Sequence, residues 1–181
     1  LPPTTLAQSL SSRIYALLHS SRLIDIEDLK IWYHPPDIRD PNQMDDISDQ
    51  INDESEIKGF WTLYIDLLFI SLDGNPLDAA WLAIISALRN TRLPYAYWDS
   101  DLEMVLCQNE VSKSKKIQLK GLPIATTVLI FRAKEQAHHQ CHDTDFWIIV
   151  DPDAFEEKLC DESITILVDK SSGESKILGL S

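Results

Sequence analysis

A chain of 181 residues that is 44% hydrophobic carries enough apolar material for one good core, so a single domain is expected. Its 16 Lys and Arg stand against 29 Asp and Glu, a formal charge of -13, which excludes a protein that grips nucleic acid through a broad basic face. Three cysteines, Cys107, Cys141 and Cys160, are too few and too scattered for a disulfide framework, no apolar run approaches the length that spans a bilayer, and Leu1-Pro2-Pro3 opens without a basic leader. A soluble protein of a reducing, intracellular compartment is the expectation.

Along the chain, Leu6, Leu10, Ile14, Leu17 and Leu18 recur at helical spacing, which predicts an amphipathic helix over 4–19 with Thr4 or Thr5 as N-cap. A turn and a short extended segment around Leu29 to Trp32 follow, and Pro35-Pro36 ends them. Residues 37–57 carry eight acidic side chains against Arg39 alone. Such a stretch buries too little apolar area to offset its ordering entropy, so a disordered acidic insertion is expected there.

Trp61 to Leu72 reads as the first strong strand, apolar on both faces apart from Thr62, Tyr64 and Asp66, as in a sheet covered on both sides. Asp66, if buried, must find hydrogen bonds. Asp73-Gly74 breaks the strand, Asn75 is placed as N-cap, Pro76 fits the first helical position, and Asp78 sits in the first turn beside the helix dipole. From Ala79 to Leu88 almost no polar face remains, so this helix, 76 to about 90, is expected to be covered on most sides by sheet or by a partner. Strands are then predicted over 95–98, 103–107, 116–119 and 123–131, a polar loop over 133–145, and a strand over 146–150. Asp151-Pro152 reads as another N-cap and first-turn proline opening a short acidic helix, and 164–168 with 176–178 form a hairpin.

Few residues suggest chemistry. His138, His139, Cys141 and His142 have the right ligand types for a metal, but their spacing is too tight for a structural zinc pattern, and a polar hairpin tip is the alternative. Lys113, Lys115, Lys116 and Lys120 are candidates for contact with RNA phosphates; an exposed strand edge guarded by lysines explains them equally. Asp153, Glu156, Glu157, Asp161 and Glu162 have the composition of a solvated helix face.

The run Asp73-Gly-Asn-Pro-Leu-Asp-Ala-Ala80 resembles the signature of RNase PH-like subunits of the RNA exosome, and two further segments agree in order and spacing: Leu122 to Phe131, then Ile148 to Leu159 followed by Ser163 to Asp169. The resemblance covers about Leu6 to Leu180 apart from two insertions. It implies an α/β fold of the RNase PH-like (ribosomal protein S5 domain 2-like) type, a mixed sheet with helices packed against it. Relative to that fold, the first part and the C-terminal helix fall outside this sequence.

In catalytically active members, the position after the core strand is a Gly-Gly-Thr-Arg-type loop that holds a phosphate at a helix N-terminus. Here the matching positions read Asn75, Pro76 and Leu77; Pro76 has no N–H, Leu77 no charge, and Asp78 would repel an anion. Active members also place an acidic pair at the start of a late strand. Aligned through Val150-Asp151-Pro152, that pair falls on Glu157 and Ser163, so one carboxylate is gone. The resemblance therefore implies a subunit with no catalytic residues, no cofactor and no metal. It would sit in a hetero-hexameric ring of RNase PH-like subunits under S1/KH-type cap subunits, meet RNA through the assembled complex, and support ribosomal RNA maturation and RNA degradation in nucleus, nucleolus and cytoplasm. An active phosphorolytic exoribonuclease subunit and an acidic interaction module unrelated to RNA are the competing readings.

Overall fold

The computed structural model describes residues 3–35, 55–132, 146–160, 162–170, 173 and 175–180. The acidic insertion lies outside the described residues up to position 54, and so does the whole His138 to His142 cluster. The chain gathers into two compact units, one made of Leu1–Ile24, Ile65–Asn90 and Gln118–Ser181, the other of Asp25–Tyr64 and Thr91–Ile117. No helix among the described residues is long and apolar enough to cross a membrane.

The first unit is two helices on one face of a sheet. Helix α1, Thr5–Ser21, starts as expected: the Thr4 hydroxyl accepts from the Ala7 amide at 3.2 Å, and Arg22 closes the helix in the left-handed region. Helix α3, Pro76–Asn90, follows a short helix α2 (Ile26–Leu29) of the other unit in chain order. The sheet comprises β7 (Ile124–Arg132), β8 (Phe146–Val150), β9 (Glu162–Asp169) and β10 (Lys176–Leu180), in the order β10-β9-β7-β8, and every ladder in it is antiparallel. The period-two alternation decides the two faces. Ala125, Thr127 and Leu129 of β7, with Thr165 and Leu167 of β9, point inward and are buried; the cross-strand pairs Ala125–Leu167 and Thr127–Thr165 are fixed by the register. Onto this face α3 lays Leu77, Ala80, Trp81, Ile84, Ile85 and Leu88. Trp81 is the largest of these, fully enclosed, with its indole Nε1 donating to the Pro123 carbonyl at 2.9 Å.

The second unit is a set of short antiparallel pairs: β1 (Lys30–Tyr33) with β2 (Glu56–Phe60), β3 (Arg92–Leu93) with β6 (Lys115–Lys116), and β4 (Ala96–Asp99) with β5 (Met104–Cys107). Ile31, Leu93 and Ile117 are its buried apolar residues. Lys58 lies over the rings of Tyr33 and Trp98, joining β2 to β1 and β4.

Five expectations are corrected. Trp61 to Leu72 forms no ladder, although Trp61 N donates to the Leu29 carbonyl at 2.8 Å; Tyr64, Leu68 and Ile70 are 88%, 88% and 97% exposed, and Asp66 is exposed rather than buried. Strand composition marks a segment fit for a covered sheet, but a strand exists only where a neighbour supplies hydrogen bonds, and no described strand pairs with it. The strand expected over 116–119 is confined to β6, Lys115–Lys116, while α3 meets the sheet with one face and turns Ala79, Leu82, Ala83 and Ala87 away from it. Asn75 does not cap that helix through its side-chain oxygen, because it sits at φ 43° and its Oδ1 is buried without a hydrogen-bond partner. Asp151 is likewise at φ 55° and no cap; helix α4 runs over Glu156–Leu159, five residues further on. The acidic insertion ends earlier than expected, since Glu56 and Ile57 belong to β2.

Candidate functional site

Two turns meet at the amino end of α3. Gly74 at φ 90° brings its backbone so close to the turn after β8 that a Cβ there would lie 2.4 Å from the Pro152 carbonyl oxygen, an approach only glycine permits. Asn75 is thereby set among three carboxylates. Its backbone N–H donates to Glu157 Oε1 at 2.8 Å, and its Nδ2 donates to Asp78 Oδ2 at 2.9 Å and to Asp151 Oδ1 at 3.3 Å. The backbone donor immediately ahead of Pro76 is therefore already satisfied by a carboxylate of the chain itself.

Asp78 continues the network into the sheet. It accepts from the Thr127 amide at 2.8 Å and from the Thr127 hydroxyl at 2.6 Å. The Thr165 hydroxyl lies 2.9 Å from that of Thr127 and accepts from Arg13 Nη2 at 3.0 Å. Each hydroxyl has one proton to give, and that of Thr127 goes to Asp78, so Thr165 must donate to Thr127. The result is a directed chain from the guanidinium on α1, through two buried hydroxyls on β9 and β7, to a carboxylate on α3.

A cleft of about 310 Å³ opens beside this network, lined by Arg13, Asn75, Pro76, Leu77, Thr127, Glu157, Glu162 and Ser163 together with apolar residues of α1 and β7. The positions that the family resemblance singled out are thus assembled: Asn75, Pro76 and Leu77 face the same cleft as Glu157 and Ser163, some eighty residues later in the chain. Three features mark the helix end. It carries a proline and a first-turn carboxylate, Glu157 accepts from the Asn75 amide, and the position of the second family acid is Ser163, beside Glu162 in the cleft lining. Among the described residues no group of His, Cys, Asp and Glu could hold a metal ion.

The acidic run before β9 contains order that its composition did not announce. Asp153 Oδ1 accepts from the amides of Phe155 and Glu156, both at 2.8 Å, while Glu156 Oε2 accepts from Asp153 N at 3.1 Å. This is a capping box, written in the sequence as Asp153-Ala-Phe-Glu156, and it holds the turn from which Glu157 reaches Asn75. The lysine candidates separate. Lys120 belongs to the first unit and Lys113, Lys115 and Lys116 to the second, where Lys113 pairs with Glu110 and Lys115 with Asp28.

A model described as 3' exoribonuclease family, domain 1, matches residues 2–94, just over half of the chain. The chain belongs to this RNase PH family. Exosome complex component rrp43 of Schizosaccharomyces pombe is 28% identical over 179 residues, which is 99% of this chain and 52% of that protein. Two archaeal proteins named Exosome complex component Rrp42 are also similar: that of Archaeoglobus fulgidus at 30% over 125 residues (69% of this chain, 38% of the relative), and that of Aeropyrum pernix at 28% over 121 residues (66% and 37%). The chain spans about half the length, or less, of these curated relatives. In this member of the RNase PH family, Arg13, Asn75, Thr127 and Glu157 of the cleft are hydrogen-bonded to one another or to neighbouring residues of the chain.

Proposed function

We propose that this chain acts as a non-catalytic, structural RNase PH-type subunit of an RNA exosome. It would take its place among other RNase PH-like subunits in a hetero-hexameric ring beneath S1/KH-type cap subunits, and support processing and degradation of RNA, ribosomal RNA included, in nucleus, nucleolus and cytoplasm. Family membership and the exosome names of its relatives support the assembly. The two compact units are taken as parts of one RNase PH-like domain, since the chain passes between them at 24/25, 64/65, 90/91 and 117/118.

The single observation that carries the inert reading is the Glu157 carboxylate on the Asn75 amide at the start of α3. A phosphate at that end would need free amides and a cation. It would meet Pro76, which has no N–H, the Asp78 carboxylate and the Glu157 carboxylate on the Asn75 amide, while the cleft's cation, Arg13, is bonded to Thr165. Incubation of the protein with single-stranded RNA and inorganic phosphate is expected to release no nucleoside diphosphate. Release that disappears in Glu157→Gln would overturn the reading.

A further inference from the structure

Of the five glycines in the chain, only Gly74 follows an acidic or amide residue, Asp73. A glycine in that position leaves its amide nitrogen unscreened by any side chain, and the aspartyl Cγ can close on it as a five-membered ring, the reacting atoms being held together by the chain itself. The structure leaves both groups unengaged. Asp73 is exposed and lies outside any helix or strand, in the turn between Leu72 and Asn75. Among the described residues its carboxylate has no hydrogen bond or ion pair, and the Gly74 N–H has no acceptor. Comparable residues are withheld from the same reaction. Asn75 is followed by Pro76, which has no N–H. Asp99, before Ser100, has its Oδ1 taken by the amides of Asp101 and Leu102, and Asp66 precedes Leu67, whose side chain screens the nitrogen.

We propose that Asp73 is a site of spontaneous isoaspartate formation, and so of methylation by an L-isoaspartyl carboxyl methyltransferase, and that the conversion releases the start of α3. The Gly74 nitrogen attacks Cγ of the Asp73 carboxylic acid; the C–OH bond breaks, and the hydroxyl leaves with the amide proton as water, giving a cyclic imide. Water then adds back. Opening at Cγ restores aspartate, whereas opening at the α-carbonyl leaves the main chain running through Cβ and Cγ with the α-carboxylate as its side group. The composition is unchanged and no oxidant takes part. Methylation moves the methyl group of S-adenosylmethionine from sulfur to an oxygen of that α-carboxylate, leaving a methyl ester and S-adenosylhomocysteine. The isomerised chain is one methylene longer where it has least room. A Cβ on Gly74 would already lie 2.4 Å from the Pro152 carbonyl oxygen, 2.5 Å from the Asp153 carbonyl carbon and 2.7 Å from the Ala154 nitrogen. The displacement therefore passes to Asn75, whose bonds to Glu157, Asp78 and Asp151 hold the two turns together. None of this depends on the exosome reading.

The test incubates the purified full chain at neutral pH and physiological temperature, with Asp73→Glu and Asp73→Asn beside it and the fold of each checked by circular dichroism. Samples taken over time are treated with radiolabelled S-adenosylmethionine and an L-isoaspartyl methyltransferase. Electron-transfer fragmentation of the tryptic peptide Gly59–Arg89 then locates the altered residue. Label is expected to grow with time in the parent and to sit at residue 73. Asp73→Glu would have to close a six-membered ring and should lose the label, whereas Asp73→Asn, which expels ammonia more readily than the acid expels water, should gain it faster. Aged parent should unfold at a lower urea concentration than fresh parent, and aged Asp73→Glu at its fresh midpoint. The proposal falls if the folded parent takes no label, if Asp73→Glu is labelled as the parent is, or if the altered residue is not 73. A labelled parent whose unfolding midpoint does not move overturns the release of α3.

Discussion

Thr165 shows how much a single side chain carries in this protein. It is fully buried, and its hydroxyl both accepts from Arg13 and donates to Thr127, so it is the link on which the chain from α1 to α3 depends. Thr165→Val keeps the shape and removes both bonds, leaving a guanidinium without that acceptor and a second hydroxyl without its donor. A loss of about 1–3 kcal/mol is expected, read from the midpoint of urea unfolding at unchanged slope. Gly74→Ala tests a different force at the same site. An alanine at φ 90° is strained by about 1–2 kcal/mol before its Cβ meets the Pro152 carbonyl, so the expected cost is at least about 2 kcal/mol. An unfolding midpoint unchanged by either substitution would show that the network is incidental to the fold.

Among the elements, α3 is the one on which the first unit is built. Its buried stripe follows helical spacing, and Trp81 fills the space over β7 while tying its indole to the Pro123 carbonyl. Trp81→Ala is expected to cost about 3–5 kcal/mol, which combines a large cavity with an orphaned carbonyl. Trp81→Phe retains most of the ring and loses the hydrogen bond, so its cost, about 1–2 kcal/mol, isolates that bond in the same urea experiment. The element boundaries were legible where local chemistry decides them. Thr4 and Pro76 mark the starts of their helices unaided. Trp61 to Leu72 has the same apolar, β-prone composition as β7 and yet pairs with no described strand, because pairing is a property of two segments.

Over the whole molecule, apolar surface exceeds what the described residues cover. One face of the four-stranded sheet leaves Ile124, Ile148 and Val150 more than 60% exposed, and Leu68 and Ile70 stand open in the segment before α3. Exposed apolar area on this scale drives association. The chain made alone is expected to be poorly soluble or to form nonspecific oligomers, and co-expression with an RNase PH-type partner is expected to give a soluble complex of fixed stoichiometry by size-exclusion chromatography with light scattering. A monodisperse, thermally stable monomer that ignores such a partner would defeat the assembly reading. With a charge of -13 on each copy, contact with a different chain is favoured over self-association.

Residue type and spacing along the chain were enough for the family signature, the helix of 76–90 and the strands expected over 95–98, 103–107 and 123–131. Folding in three dimensions had to be seen before it was known that Glu157 reaches the Asn75 amide, that Arg13 is linked to Asp78 through Thr165 and Thr127, and that Lys116 lies opposite Arg92 while Lys113 and Lys115 are paired. The Arg13 to Thr165 bond joins residues 152 apart, and Glu157 and Asn75 are 82 apart. Periodicity and propensity act over a few residues, whereas such contacts are set by sheet register and by how two turns pack at one glycine, and neither is written in any local stretch of the chain.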